Sequence, residues 1–267
     1  MFDISNLEIH AWHACNLFCE SCSHYSSLGL QGGPTAEVCE DWMRGWSTRV
    51  RPRVFSIVGG EPTLNHGLTT IVRAAGEIWP NSRIRLVSNG FLLYRHTGLA
   101  PVLAAIGERA ILEISSHHSG AEFQAQFEMV RRLADEWRTR YGVNILIKNS
   151  DQRWTRRYRY TDGRIDFITA SPRQAWEGCV DKWCPQIFVG HLWKCPPVAY
   201  FGLMKEHMSV EERWQDLWLR YRPLESSCTD AELHQFLTRQ EEEMCGICPA
   251  QLERFELRNP LVNFRRG

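Results

Sequence analysis

Strand-forming and helix-forming runs take turns along the first half of the chain, and that order restricts it to few architectures. Leu7–Trp12, Val54–Val58, Arg83–Ser88, Ala110–Ser115 and Asn144–Lys148 are rich in aliphatic and β-branched residues and read as strands. Between them, Thr35–Ser47, Leu68–Ile78, Gly98–Ile106 and Ala121–Tyr141 repeat apolar residues at helical pitch, the last with arginine and aspartate on its outer side. Strands joined through helices pair in parallel with right-handed crossovers, so an α/β fold is expected. In such sheets ligands gather at the carboxyl ends of the strands. No internal repeat or low-complexity linker interrupts the pattern.

Unusual chemistry stands at those ends. Cys15, Cys19 and Cys22 follow the first strand in a Cys-x3-Cys-x2-Cys run. Thiolate sulfur is the ligand that iron–sulfur clusters select, and a cubane has four irons, so three cysteines leave one iron without a protein ligand. That open iron is a place for chemistry. Structural zinc is the alternative, but it closes its tetrahedron with a fourth Cys or His. His10, His13 and His24 are near enough in sequence to keep zinc open.

The cysteine spacing resembles that of the radical S-adenosylmethionine superfamily. The resemblance implies a partial (β/α)6 barrel of parallel strands, with a four-iron cluster whose open iron chelates the methionine moiety of S-adenosylmethionine. Reductive cleavage then gives a 5′-deoxyadenosyl radical that takes a hydrogen atom from substrate, while the protein positions and shields it. Gly59-Gly60-Glu61-Pro62, after the second strand, matches the motif that contacts the methionine amino group in that family. A backbone that approaches closely and an acceptor for an ammonium fit that role. The residue before the last cysteine is usually aromatic there and is Ser21 here, with Tyr25 a substitute for adenine packing.

Ser88-Asn89 and Ser115, at the next two strand ends, suit ribose hydroxyls or a carboxylate, although Asn89-Gly90 is equally a simple turn. His117 and His118 are candidates to face substrate or to cap the strand. Lys148 is a candidate for the cofactor carboxylate or a substrate anion, against the default of a solvated lysine.

A second cysteine group lies toward the C-terminus. Cys179, Cys184 and Cys195 surround a hairpin-like segment, Gln186–Trp193, centred on Gly190, and Cys245-Gly-Ile-Cys248 follows a predicted helix. This arrangement resembles the shortened auxiliary-cluster domain called twitch, found in radical dehydrogenases of aminocyclitols. That resemblance implies a second four-iron cluster on four of the five thiols: Cys195, Cys245, Cys248 and either Cys179, by spacing, or Cys184, by its place before the hairpin. A four-thiolate zinc site is the alternative here too. The expected division is a barrel core over residues 1–170 and a small cysteine-rich cluster-binding extension over 171–267. Cys39 and Cys228 stand alone and read as buried hydrophobes.

Composition bounds the partners. The 267 residues, 43% of them apolar, suffice for one large domain and an appendage. Lysine plus arginine equals aspartate plus glutamate at 31 each, so no overall field draws nucleic acid or membrane, and neither is expected as a partner. The run Arg153–Arg159 carries four arginines with Trp154 and Tyr158 among them and reads as a phosphate or nucleic-acid grip or a solvated face. Without a signal peptide or a membrane-length apolar run, a cytoplasmic enzyme with reduced thiols is expected.

The expected activity is hydrogen abstraction from a small molecule, a sugar or aminocyclitol, giving oxidation or epimerisation, with a reductant such as flavodoxin or ferredoxin. Trp176, Trp183 and Trp193, near the second thiol group, suit sugar rings, though tryptophan also fills cores. A fully ligated second cluster would take an electron from the substrate, whereas a spare thiol, Cys179, Cys184 or Cys228, would return a hydrogen atom. Two other readings stay open: a radical maturase of a ribosomal peptide, and an iron–sulfur electron-transfer or binding protein.

Overall fold

The computed structural model describes residues 1–263; residues 264–267, the end of the expected extension, and the side chains of residues 153, 262 and 263 lie outside the described residues. The alternation runs β1 (Phe2–His10), α1 (Ala36–Ser47), β2 (Val50–Val58), α2 (Leu68–Ile78), β3 (Arg83–Ser88), α3 (Leu99–Ile106), β4 (Ala110–Ser116), α4 (Ala121–Tyr141) and β5 (Ile145–Asn149). The five strands pair in parallel in that order. Local chemistry sets the helix ends. The Thr35 side chain accepts from the Val38 N–H at the start of α1, and Gly142, at φ 68°, ends α4 in the left-handed region that other residues avoid.

The rest of the chain forms shorter pieces: β6 (Thr155–Arg156), β7 (Tyr158–Thr161), β8 (Arg164–Phe167), α5 (Pro172–Gly178), β9 (Gln186–Phe188), β10 (His191–Trp193), α6 (Pro196–Ala199), α7 (Phe201–Lys205), α8 (Glu212–Arg220), α9 (Asp230–Thr238) and β11 (Glu253–Arg254). The expected hairpin is β9–β10. β9 pairs in parallel with β1, Glu8 opposite Gln186 and Ile9 opposite Ile187. The partial barrel is therefore present, and its sixth parallel strand comes from the extension and lies beyond β1 rather than beyond β5.

Each barrel strand alternates. Leu7, Ile9, Phe55, Ile57, Ile84, Leu86, Leu112 and Ile114 are fully buried and belong to one continuous core with residues of α1 to α4. Burying a side chain of that size contributes about 1.5–3 kcal/mol. The residues between them, Asn6, Glu8, His10, Ser56, Arg85, Glu113 and Ser115, are polar and share the other face. Parallel strands covered on both faces usually read as continuous apolar runs, so a polar inner face marks a barrel lumen with work to do. It is internally paired: Glu8 with Arg85 at 3.2 Å and Glu113 with Lys148 at 2.6 Å.

A second, smaller core joins Tyr25, Leu28 and Leu30 of the first cysteine loop to Tyr158, Trp193, Tyr200, Phe201, Trp214 and Ile247. All ten cysteines are free. Among the described residues, no helix is long and apolar enough to cross a membrane.

Candidate active site

The carboxyl ends of β1 to β4 open into a cavity of about 470 Å³. Cys15, Cys19 and Cys22 reach it from the loop after β1, Gly59, Gly60 and Glu61 from the loop after β2, Ser88 and Asn89 from β3, and Ser115 and His117 from β4. Four consecutive strand ends thus converge, as parallel packing dictates. The facing wall is Trp154, Thr155, Arg157, Val180, Leu252 and Arg254.

Why the second loop needs two glycines is visible in its contacts. The Gly60 N–H donates to the Trp12 carbonyl at 2.8 Å and the Glu61 N–H to the Ala14 carbonyl at 2.9 Å. A Cβ on Gly59 would collide with the Trp12 carbonyl, and one on Gly60 with those of His13 and Ala14. The close approach is that of the cysteine loop itself. Glu61, 1% exposed, accepts from the Thr63 N–H and hydroxyl at 3.0 and 2.6 Å, the Ser88 hydroxyl at 2.6 Å and the Asn89 N–H at 2.8 Å. Burial pushes its carboxyl above the usual range, and these donors pull it back. Asn89 Nδ2 also donates to Asn16 Oδ1 at 2.7 Å, so one network ties the ends of β2 and β3 to the cysteine loop.

Around Cys22 the chain takes two turns that side chains rarely adopt: Ser21 at φ 60° and Tyr25 at φ 58°. What holds them is specific. Ser21 Oγ accepts from the backbone N–H groups of Arg157 and Tyr158, at 2.6 and 3.2 Å, and the Tyr158 hydroxyl donates to the Cys22 carbonyl at 3.0 Å. The departure from an aromatic at position 21 thus has a structural role, anchoring the cysteine loop to β7.

Burial raises all three loop thiols, with Glu61 adding to the effect on Cys15 and the neighbouring thiols to that on Cys19. Such thiols ionise on binding a metal group rather than alone. His13, His24 and His117 are pushed down to about 4 by burial and are neutral near pH 7. His117 Nδ1 lies 3.8 Å from Cys19 Sγ. The residues fit a cluster with its ligand. Ser26 and His24 line the cavity, and Ser26 Oγ and His24 Nε2 are buried without a protein partner. Among the described residues no group of three or more His, Cys, Asp or Glu side chains is close enough to hold a single metal ion.

In the second group, the Cys195 thiol is raised by burial and by its neighbours Cys248, Cys179 and Cys245, and Cys248 is pushed up to about 12 by burial, with Cys179 and Cys245 adding to it. These four lie within electrostatic reach of one another. Cys184 instead has Glu8, Asp181, Arg85 and Asn6 around it. The Cys245–Cys248 turn closes through the Cys248 N–H to the Cys245 carbonyl at 3.0 Å, and a Cβ on Gly178 would strike the Ala250 carbonyl, so α5 and the turn pack backbone to backbone.

Several candidates lie elsewhere. Tyr25 is buried in the second core with its hydroxyl donating to the Pro197 carbonyl at 3.3 Å; it does not line the cavity, because its left-handed turn points the ring away. His118 caps its own turn, its Nδ1 accepting from the Gly120 N–H at 3.0 Å, and borders a separate cavity with Ser119, Asp151, Gln152 and Arg254. Lys148 is neutralised by Glu113, deeper along the sheet's inner face. Pro62 is buried behind Glu61 and begins a short helical turn. Conversely, sequence reasoning missed Asn16, Trp154, Leu252 and Arg254, and it left Arg157 inside an undifferentiated basic run. Nothing local marks them; Asn16 is selected by its hydrogen bond from Asn89, and strand pairing of Glu253–Arg254 with Thr155–Arg156 joins the segments that carry the others.

No family model matches the chain. A GTP 3',8-cyclase of Synechocystis sp. is 28% identical over 114 residues, 42% of this chain and 32% of that protein, so the chain spans about a third of the length of the curated relative it matches. Among solved structures, BtrN in complex with AdoMet and 2-DOIA is 15% identical, with 95% of this chain and 97% of that one covered and a TM-score of 0.53. Native anSMEcpe with bound AdoMet and the Cp18Cys peptide is 23% identical over 54% of this chain and 42% of that one, at a TM-score of 0.40. The chain shares its overall fold with BtrN, and its first cysteine loop has the Cys-x3-Cys-x2-Cys spacing described above.

Proposed function

We propose that this chain is a radical S-adenosylmethionine enzyme that oxidises an alcohol of a small polar molecule, a sugar or an aminocyclitol. The carrying observation is the cavity where three thiols, the Gly-Gly-Glu-Pro loop and the polar ends of β3 and β4 meet. Cys15, Cys19 and Cys22 would hold the first four-iron cluster, with Gly60, Glu61, Ser88, Asn89 and Ser115 around S-adenosylmethionine. Cys179, Cys195, Cys245 and Cys248 would hold the second. When bound, these groups supply a 5′-deoxyadenosyl radical that removes a carbon-bound hydrogen atom and an acceptor for the electron that follows, as the hydroxyl proton passes to solvent and a carbonyl remains.

The chain's own residues do the rest. Glu61 orders the loops that face the ligand, Ser115 presents a hydroxyl, and neutral His117 presents an imidazole without adding charge. Trp154, Val180 and Leu252 add apolar surface to a wall that also carries Arg157 and Arg254, and that surface helps to shield a radical from water. Oxidation is favoured over epimerisation because the cysteines lining the cavity are the three cluster ligands. Cys184 lies beside Glu8, and Cys228 beside Arg49, so neither is placed to return a hydrogen atom to substrate.

Anaerobic reconstitution tests this reading. Near eight irons per chain are expected, falling to near four in Cys179→Ser and staying near eight in Cys184→Ser. With dithionite, a reductant protein standing in later, 5′-deoxyadenosine should accumulate, and the right sugar should yield a product two electrons more oxidised. Bound zinc, or no deoxyadenosine under any condition, would sink the proposal; solvent deuterium at an inverted carbon would turn it toward epimerisation.

A further inference from the structure

We propose that the buried Arg157–Asp181 pair is a shared electrostatic element that sets the reduction potentials of both cysteine-bound groups together. The inference rests on the two-cluster reading above. Arg157 is 9% exposed. Its backbone N–H donates to the hydroxyl of Ser21, the residue before Cys22, and its guanidinium donates to Asp181 Oδ2 at 2.7 Å. The Asp181 backbone N–H in turn donates to Cys179 Sγ at 3.3 Å. Arg157 borders the main cavity and also a small void lined by Cys248. One side chain therefore stands between the first cysteine loop and the second thiol group.

The physical consequence follows from charge. A cluster gains negative charge on reduction, so a fixed cation nearby stabilises the reduced form and raises the potential, the more so where water is excluded. Guanidinium is suited to this because it keeps its proton in any protein environment. Asp181 opposes it, so the pair sets a balance rather than a maximum. Since the same charge faces both groups, removing it moves both potentials in one direction. No thiolate bond is touched, so the effect is separable from cluster loss.

Redox titration of the reconstituted protein, followed by the electron paramagnetic resonance of each reduced cluster, tests this without turnover. Arg157→Gln is expected to lower both midpoints, by about tenfold in the reduction equilibrium of the second cluster, ~59 mV for a one-electron couple. Arg157→Lys, which keeps the charge, should stay near the wild type, and Asp181→Asn should move the midpoints upward. Unshifted midpoints in fully loaded Arg157→Gln, or shifts of the same sign in Arg157→Gln and Asp181→Asn, overturn the inference while leaving two clusters standing. Near four irons and one signal in the wild type overturn it together with its premise. If Arg157→Gln does not load, the sign in Asp181→Asn against the position of Arg157→Lys decides.

Discussion

His13, His24 and His117 surround the first cysteine loop in neutral form, each pushed down to about 4 by burial, below the ordinary histidine value of about 6.5. Between those values the unfolded chain binds protons that the folded chain refuses, so stability rises with pH through that window and is complete above it. Metal-free protein should accordingly lose stability from pH 6.5 down to 4, by about 1–3 kcal/mol per histidine. Urea unfolding at pH 7 and pH 5 reads this directly, and His117→Asn should flatten the slope; an unchanged slope would contradict the burial argument. The cysteine trio and Gly59 to Glu61 were legible at this scale because their spacing is local. Asn16 and Arg157 were not, since what selects them is a partner dozens of residues away: Asn89 for one, Asp181 for the other.

Among the elements, the β9–β10 hairpin shows a small conflict between sequence and geometry. Its two-residue turn is Val189-Gly190, and both take positive φ, 52° and 73°. Glycine accepts that geometry, but a β-branched residue does not, and such hairpins favour Asn-Gly. Val189 is 54% exposed, so little packing is lost by replacing it. Val189→Asn should stabilise by about 1 kcal/mol and raise the melting temperature by about 2–4 °C in calorimetry. A lowered value would mean that the side chain packs more than its exposure indicates. The five barrel strands and four helices were legible from alternating periods, since each strand buries one face on helices. The first halves of β1 and β2 were not: Phe2–Asn6 and Val50–Arg53 lack an apolar run, and Pro52 reads as a breaker, yet it lies before pairing with β3 begins at Val54. The extension's short strands are set by partners rather than by pattern.

At the scale of the molecule, barrel and extension share a sheet, a core and a cavity wall. The segment after Cys248 returns across the mouth, pairing Glu253–Arg254 with β6, and its Pro260 carbonyl accepts from the Phe18 N–H at 2.9 Å inside the first cysteine loop. That closure was not legible, because residues 252–261 carry no periodic pattern. A chain ending at residue 170 should therefore be poorly soluble and should bind iron weakly, as size-exclusion chromatography and iron content would show; a monomeric, fully loaded fragment would refute this. The reason has a temporal side. β1 is made well before its outer neighbour, which arrives some 178 residues later, the separation between Glu8 and Gln186, which hydrogen-bond across that seam. During synthesis the edge that leads into the first cysteine loop stays bare on the ribosome until β9 has emerged, and only then can it stop recruiting strays.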